Sequence, residues 1–315
     1  MKGISVVIPM YNKEQTIQRS VESVLQEQDI PLEVVIVDDG SSDKSLAVVN
    51  QIKDPRVKLI KQFNRGPSAA RNIGAANAQF NQLIFLDADD VLHPDCVRTQ
   101  FENMQNSKCA LTYVSFDVVD EQTLEHERTE IITARFNSEN ADFEAPVDEL
   151  AIRNIHSGCI SISRELFATI KGFNESLRFM EITEFLLRAL AKTDRVYISK
   201  SVLTHKYEDL ENSQFQREIK NIEQHELFAR SIIASYHQAP PRNKGLLQKE
   251  VVETFHALMG SANSKPAYAI LADAKKQRNA FHQQGLFTRL LLAPALLFPI
   301  YVLLFKVKRL LKKQA

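Results

Sequence analysis

The sequence predicts an α/β protein with a mostly parallel central sheet flanked by helices, and with a helical extension at the C-terminus. In the first hundred residues, strand-like and helix-like patterns alternate, which is typical of a parallel sheet with helices on its faces. The strand-like stretches are short and almost continuously apolar, as expected for strands covered on both sides. The chain has 315 residues, 44% of them hydrophobic, which is enough for one large core or two smaller ones.

The first half of the predicted sheet has four strands separated by three helices. The first strand is predicted at residues 4–8, and the first helix is indicated by Ile17, Val21 and Val24, which share one helical face. An alanine-rich helix follows the third strand, with Ser68 as its N-cap. The other strands are predicted at residues 33–37, 57–60 and 83–86, and the second helix around residues 46–52.

The second half of the chain is less regular. Residues 120–150 are charged and show no clear period, whereas residues 215–283 are polar and poor in glycine, which favours a helical extension. Helices are predicted at residues 94–104, 164–170 and 181–190, and strands at residues 110–119, 155–162, 196–198 and 202–203.

The composition excludes several classes of function. The 39 Lys and Arg residues balance 39 Asp and Glu residues, so the chain has no general electrostatic basis for binding nucleic acid. The two commonest glycine-rich phosphate-binding motifs do not occur in the sequence. Cys96, Cys109 and Cys159 lack the spacing of a zinc site, and three free thiols are expected in a reducing cytoplasm.

An acidic cluster directly follows the fourth predicted strand. Asp87 and Asp89 are two residues apart, so in an extended segment their carboxylates face the same side and can reach one ligand. Carboxylate oxygens suit Mg²⁺ or Mn²⁺, which would neutralise a diphosphate in the absence of a glycine-rich cradle. The alternative is an acidic turn in which Asp90 caps a helix.

A second acidic cluster, at residues 38–43, follows the second predicted strand. Its Asp and Gly residues are common in a plain strand-to-helix turn, but a carboxylate here can also accept hydrogen bonds from a nucleobase or ribose. Ligands of such sheets bind beyond the carboxyl ends of the strands. We therefore expect both clusters to lie at one ligand site.

Four segments contain these residues in a fixed order: VVIPMYN at residues 6–12, VIVDDGSSD at 35–43, GPSAARN at 66–72 and FLDADD at 85–90. Their residues, order and spacing resemble those of family-two glycosyltransferases with the A-type fold. The resemblance is close over residues 3–100 and loose over residues 155–215. It implies inverting transfer of a sugar from a nucleoside-diphosphate sugar, a UDP-sugar being favoured, to an acceptor hydroxyl.

The resemblance also implies roles for the residues that bind the donor. Pro9, Tyr11 and Asp39 would lie around the nucleobase, with Asp39 contacting the base itself. Arg71 would lie near the nucleotide, and Asp87 would face the ribose.

The metal ligands follow from the same resemblance. Asp89 would hold the Mg²⁺ or Mn²⁺ ion that bridges the diphosphate. His205 follows a predicted strand in a region where related enzymes sometimes have a histidine near the metal, although a lone histidine is more often structural or exposed. His156 is a weaker candidate for lining the acceptor side, and a structural role is the simpler interpretation.

The sequence departs from the family pattern at the general base. The family has an Asp after a Glu at the start of a helix, and in this register Ile182 occupies the position of that Asp. Isoleucine cannot accept a proton. Glu181 is adjacent and Glu184 lies one turn further on, so both are candidate catalytic bases, with Glu181 favoured. Both glutamates can alternatively be solvated helix residues.

The chain is predicted to have four parts. Residues 1–105 would bind the nucleotide sugar, residues 106–215 would bind the acceptor within the same catalytic domain, and residues 216–285 would form the helical extension. Residues 286–315 contain 16 consecutive uncharged residues with basic residues on both sides. At about 24 Å, this stretch is short for a membrane span and contains two prolines. We expect it to lie in the membrane interface or re-enter it; a span or a packed helix are alternatives.

Together these features predict a metal-dependent glycosyltransferase, peripheral or monotopic at the cytoplasmic face of the plasma (inner) membrane. Its acceptor would be a glycan or a lipid-linked saccharide, in the synthesis of a cell-surface polysaccharide or glycolipid. Because Ile182 stands at the position of the base, a catalytically impaired partner protein that binds nucleotide sugars in a glycan assembly is the alternative. A nucleotidyltransferase is disfavoured, because the sequence lacks a glycine-rich loop near its N-terminus.

Overall fold

The computed structural model describes residues 2–130, 133–134, 142–146, 150–151, 156–178, 180–208, 222–240 and 243. The strands are β1 (Ile4–Met10), β2 (Leu32–Asp38), β3 (Val57–Lys61), β4 (Gln82–Phe85), β5 (Val91–Leu92), β6 (Leu111–Asp120), β7 (His126–Glu130), β8 (Thr133–Ala134), β9 (Phe143–Pro146), β10 (Leu150–Ala151), β11 (Ile160–Ser163) and β12 (Arg195–Glu208). The helices are α1 (Ile17–Leu25), α2 (Ser45–Val49), α3 (Pro67–Asn77), α4 (Cys96–Ser107), α5 (Arg164–Thr169), α6 (Glu181–Leu190) and α7 (Ile222–Gln238).

Within the described residues, ten strands form one mixed sheet. Its main path runs β3-β2-β1-β4-β11-β6-β12-β5, with β7 paired to β6 and β9 paired to β12. The strands β3, β2, β1, β4, β6 and β12 run in the same direction, while β11 runs against its neighbours β4 and β6. The predicted α/β fold with a mostly parallel sheet is therefore confirmed.

Strands β1, β2 and β4 are buried, whereas β3, at the edge of the sheet, is partly exposed. Every residue of β2 is buried, and β1 is buried except for Pro9, which is half-buried. Helix α3 packs closely on β1, and a Cβ atom added to Gly74 would lie only 2.2 Å from Val7 Cγ1. This close packing fixes the position of α3 relative to the ends of the strands.

Several elements differ from the sequence prediction. One strand was expected at residues 155–162, but Ser157–Cys159 form a turn of 3₁₀-helix and the strand begins at Ile160. The two late strands are one long strand, β12, with irregular pairing to β6 between Ile198 and Thr204. Ser68 is not the N-cap of α3, because the helix begins at Pro67 and Gly66, with a φ of 92°, precedes it.

Helix α7 is the described part of the predicted C-terminal extension. Its Phe228 and Ile232 are fully buried, and the helix packs against α6. Apart from residues 222–240 and 243, residues 216–285 and the apolar tail at 286–315 lie outside the described residues. None of the helices in the described chain is both long and apolar enough to cross a membrane.

Candidate functional site

Tyr11 and the two acidic clusters predicted for a ligand site lie on three adjacent loops, which follow β1, β2 and β4. Strands β1, β2 and β4 are parallel and in register: Met10 lies beside Asp38 of β2, and Val7 lies beside Phe85 of β4. The chain therefore leaves the three strands at the same edge of the sheet. The two acidic clusters follow β2 and β4 at this edge, as the strand order requires.

Arg71, in the middle of α3, joins two carboxylates at this edge. Its Nη2 lies 2.6 Å from Asp87 Oδ1, and its Nη1 lies 3.3 Å from Glu181 Oε1. Only 3% of the Arg71 side chain is exposed, and the guanidinium lies 5.3 Å from the centroid of the Phe173 ring. Burial alone would raise the pKa of Asp87, but the charges of Arg71 and His156 and the hydrogen bonds from Arg71 and Ser157 together outweigh burial and lower that pKa to about 2. Asp87 is therefore ionised at neutral pH.

Asp90 and His156 form a second buried pair beside Asp87. Asp90 Oδ2 lies 2.7 Å from His156 Nε2, and Asp90 Oδ1 accepts a hydrogen bond of 2.9 Å from the backbone nitrogen of Tyr207. Despite the short distance to Asp90, His156 Nε2 makes no well-aligned hydrogen bond to any described residue. A buried polar atom without a hydrogen-bond partner lowers the stability of the folded protein unless a ligand supplies the partner.

The same three residues fit a divalent cation. One ligand atom from each of Asp87, Asp90 and His156 lies within 4.8 Å of the others. Two carboxylates and an imidazole form a donor set that Mn²⁺ and similar ions accept. Burial raises the pKa of Asp90 to about 6, against the opposing effect of His156, and a bound cation would favour the ionised carboxylate.

Asp89, the metal ligand predicted from the sequence, is bound by a lysine. The ammonium group of Lys13 donates to Asp89 Oδ2, and both side chains remain partly exposed. Burial would lower the pKa of Lys13, but the charges of Asp89, Glu121 and Asp87 outweigh burial and raise it. A positive charge therefore lies directly on the carboxylate where the sequence predicts a metal ion.

Asp39 holds the loop that follows β3. Its Oδ1 accepts hydrogen bonds from Gln62 Nε2 at 2.6 Å and from the backbone nitrogen of Arg65 at 2.8 Å, and its Oδ2 accepts one from the backbone nitrogen of Gly66 at 2.8 Å. Tyr11, which is 46% exposed, follows the neighbouring strand β1. Asp39 and Tyr11 thus lie at the same edge as Asp87, where the resemblance predicts the nucleobase.

The two candidate bases have different environments. Glu181 is the first residue of α6, and its contact with Arg71 brings it to the site. Glu184 is fully buried, forms an ion pair of 2.7 Å with Arg188 and accepts a hydrogen bond from Ser231 of α7. This is the environment of a structural ion pair that joins α6 to α7.

His205 belongs to a different group of side chains. Its Nδ1 lies 3.8 Å from Asp117 Oδ2, and Asp117 Oδ1 lies 3.3 Å from His126 Nε2. The structure therefore groups His205 with Asp117 and His126, and it groups Asp87 with Asp90 and His156.

Comparison with known proteins identifies the family. The family described as Glycosyl transferase family 2 matches residues 5–171, which is more than half of the chain. The chain belongs to glycosyl transferase family 2. Curated relatives include an uncharacterized glycosyltransferase of Haemophilus influenzae, 36% identical over 136 residues, which are 42% of this chain and 53% of the relative. The succinoglycan biosynthesis protein ExoO of Rhizobium meliloti is 39% identical over 117 residues, which are 37% of this chain and 34% of ExoO.

This family-2 chain thus spans about half, or less, of the length of those two curated relatives. Among solved structures, S. aureus TarS 1–349 is similar with a TM-score of 0.64 at 20% identity, covering 89% of this chain and 79% of TarS. The same TarS chain in complex with UDP-GlcNAc is similar with a TM-score of 0.66 at 19% identity. These structures confirm the A-type glycosyltransferase fold that the sequence motifs predict.

Two features of the site were not recognised in the sequence. The sequence indicates only a weak role for His156 on the acceptor side, because nothing local indicates that β11 runs antiparallel beside β4 and so returns His156 to Asp90. Lys13 is not a predicted site residue, and the one sequence signal for it is its position directly after the VVIPMYN segment.

Proposed function

We propose that this protein is an inverting, metal-dependent glycosyltransferase that moves a sugar from a nucleoside-diphosphate sugar to an acceptor hydroxyl. The observation that carries the proposal is the convergence of Asp39, the Arg71–Asp87 ion pair and the Asp90–His156 pair at one edge of the sheet. Membership of family 2 supports the same reaction class. A UDP-sugar donor is supported by the TarS structures, which were solved in complex with UDP and with UDP-GlcNAc.

In this proposal some side chains bind the nucleoside, and others hold the metal ion that would neutralise the diphosphate. Asp39 and Tyr11 bind the nucleobase, while Arg71 holds Asp87 in position to meet the ribose. Asp87, Asp90 and His156 would supply ligands for Mg²⁺ or Mn²⁺, and Asp89, the ligand predicted from the sequence, would be a further one. When bound, the ion would stabilise the negative charge that develops on the departing diphosphate.

Glu181 is the proposed general base, since it is the candidate carboxylate with a contact inside the site. It would take the proton of the acceptor hydroxyl as that oxygen attacks the anomeric carbon. The second candidate function, a nucleotide-sugar-binding protein with impaired catalysis, is favoured by Ile182, whose side chain is half-buried against the core. Transfer assays set beside binding measurements separate the two.

A thermal-shift screen tests the donor class. UDP-sugars should raise the unfolding temperature, and Mn²⁺ should increase the rise, because a ligand that binds only the folded protein stabilises it by about 2.7 kcal/mol at 100 times its Kd. The Asp39→Asn variant is the matched control. Its response to UDP should be weaker, whereas its unfolding temperature without ligand should remain measurable. If none of the UDP-, GDP-, CDP- and dTDP-sugars shifts the wild-type protein, the proposal fails.

We further propose that the acceptor is a glycan or lipid-linked saccharide, and that residues 286–315 hold the protein at the cytoplasmic face of the membrane. The apolar and basic composition of this tail supports membrane attachment, and the name of ExoO supports a role in polysaccharide synthesis.

Deleting residues 286–315 should move the protein from the membrane pellet to the soluble fraction. The apolar stretch and its basic flank are both lost in this variant, and they are the proposed sources of lipid affinity. Membrane flotation measures the change, and an unaltered thermal shift with UDP serves as the control for folding. Equal flotation of the two proteins would contradict an anchor in this tail.

A further inference from the structure

Lys13 is a charged residue of the site that the proposed reaction does not use. Its ammonium group donates to Asp89 Oδ2, and the negative charges of Glu121 and Asp87 also act on it. The Lys13 side chain is 36% exposed and that of Asp89 is 24% exposed. The ammonium therefore lies near three carboxylates at a position that is open to solvent. Divalent cations bind in the same kind of environment.

Hydrogen bonds hold the chain around Lys13 against the start of α2 and against residues 88–89. The backbone nitrogen of Lys13 donates to Ser45 Oγ at 2.7 Å. Thr16 Oγ1 donates to the carbonyl oxygen of Ala88 at 2.8 Å, and Arg19 Nη2 donates to that of Asp89 at 2.8 Å. Because the chain on either side is held, Lys13 can leave Asp89 by rotation of its flexible four-carbon side chain alone.

An ammonium and a divalent cation repel each other when they share one carboxylate. A nucleotide diphosphate brings new negative charge to this edge and offers Lys13 an alternative partner. Without the nucleotide, a divalent ion that binds Asp89 would displace Lys13, and no other anion would be available to pair with the ammonium.

We propose that Lys13 is a positioning residue that makes binding of the divalent ion depend on the donor: it neutralises Asp89 in the empty site and exchanges Asp89 for the diphosphate when nucleotide and ion bind. This inference rests on the proposed function. The ion and the nucleotide then bind cooperatively, and each increases the affinity of the other by the same factor.

The test measures Mn²⁺ binding to the 315-residue chain, with and without UDP, from the electron paramagnetic resonance signal of free Mn²⁺. Wild-type protein should bind Mn²⁺ about tenfold more tightly when UDP is present. The Lys13→Met variant should bind Mn²⁺ without UDP about tenfold more tightly than wild type, and the effect of UDP should shrink. Lys13→Arg keeps the charge and should retain most of the coupling.

Lys58→Met is the matched control, since Lys58 is an exposed lysine of β3 whose Nζ donates to the carbonyl oxygen of Asn77 at 3.0 Å. It should bind Mn²⁺ and UDP as wild type does. Lys13→Gln repeats the measurement if Lys13→Met does not fold. If UDP binds but Mn²⁺ affinity without UDP is the same in wild type and the uncharged variant, only the Lys13 inference is overturned. If UDP binds neither protein, the proposed function and the exchange are both overturned.

Discussion

Replacing Arg71 with methionine should abolish UDP binding and lower the free energy of unfolding by about 3 kcal/mol. The Arg71 side chain is almost completely buried and joins Asp87 to Glu181, so the substitution leaves two partly buried carboxylates without their cation. Such an uncompensated charge is far more costly than the intact ion pair is stabilising. Urea denaturation measures the stability, and isothermal titration calorimetry with UDP measures the binding.

Two control variants separate binding from stability. Arg71→Lys keeps one positive charge but cannot contact both carboxylates with a rigid fork, so it should lose less stability and still bind UDP poorly. Arg164→Met removes an arginine that bonds the backbone carbonyl groups of Phe80 and Ala78, and it should destabilise the protein without weakening UDP binding. Wild-type affinity for UDP in Arg71→Met would contradict the assignment.

The acid sensitivity of the protein should also change in Arg71→Met. Burial would raise the pKa of Asp87, but several opposing contributions, of which the charge of Arg71 is the largest, together lower it from 3.8 to about 2 in the folded protein. A lowered pKa gives stability that is present above pH 4 and is lost as the pH falls from about 4 to about 2. The wild-type protein should lose this contribution to the free energy of unfolding on acidification. Arg71→Met lacks the contribution, so its stability should not show this loss.

The sequence was sufficient for the parts of the site that are local in the chain. Asp39 and Asp87 each follow a short apolar strand directly, and the parallel order of β1, β2 and β4 brings their loops to one edge. The Arg71 position came from the family resemblance. Its contact with Asp87 depends on how closely α3 packs on β1, which the alanine-rich pattern of α3 indicates but does not determine.

Contacts between distant parts of the chain could not be predicted in this way. The Asp90–His156 pair requires β11 to enter the sheet against the direction of β4, and the single apolar run before α5 gives no information about direction. The contact of Lys13 with Asp89 joins residues 76 positions apart. In both examples, the residue type was visible in the sequence, but its partner was decided by tertiary packing.

The Glu181→Gln variant should transfer sugar about 100- to 10,000-fold more slowly than wild type, with UDP binding retained. Glutamine keeps an oxygen that can accept the hydrogen bond from Arg71 Nη1, now 3.3 Å from Glu181 Oε1, so the donor side should stay in place. It cannot take a proton from an acceptor hydroxyl at neutral pH. Radiolabelled sugar transfer measures turnover, and the UDP affinity measured in parallel shows whether the loss is confined to the chemical step.

Glu184→Gln is the matched control on the same helix, because Glu184 bonds Arg188 and Ser231 and is fully buried. It should lower stability while the folded fraction transfers sugar at the wild-type rate. Ile182→Asp, which puts a carboxylate at the position the family uses, should restore part of the turnover of Glu181→Gln. Unchanged turnover in Glu181→Gln would exclude Glu181 as the base. If the wild-type protein binds UDP-sugars but transfers none, and only Ile182→Asp does, the protein is a donor-binding partner that lost its base at Ile182.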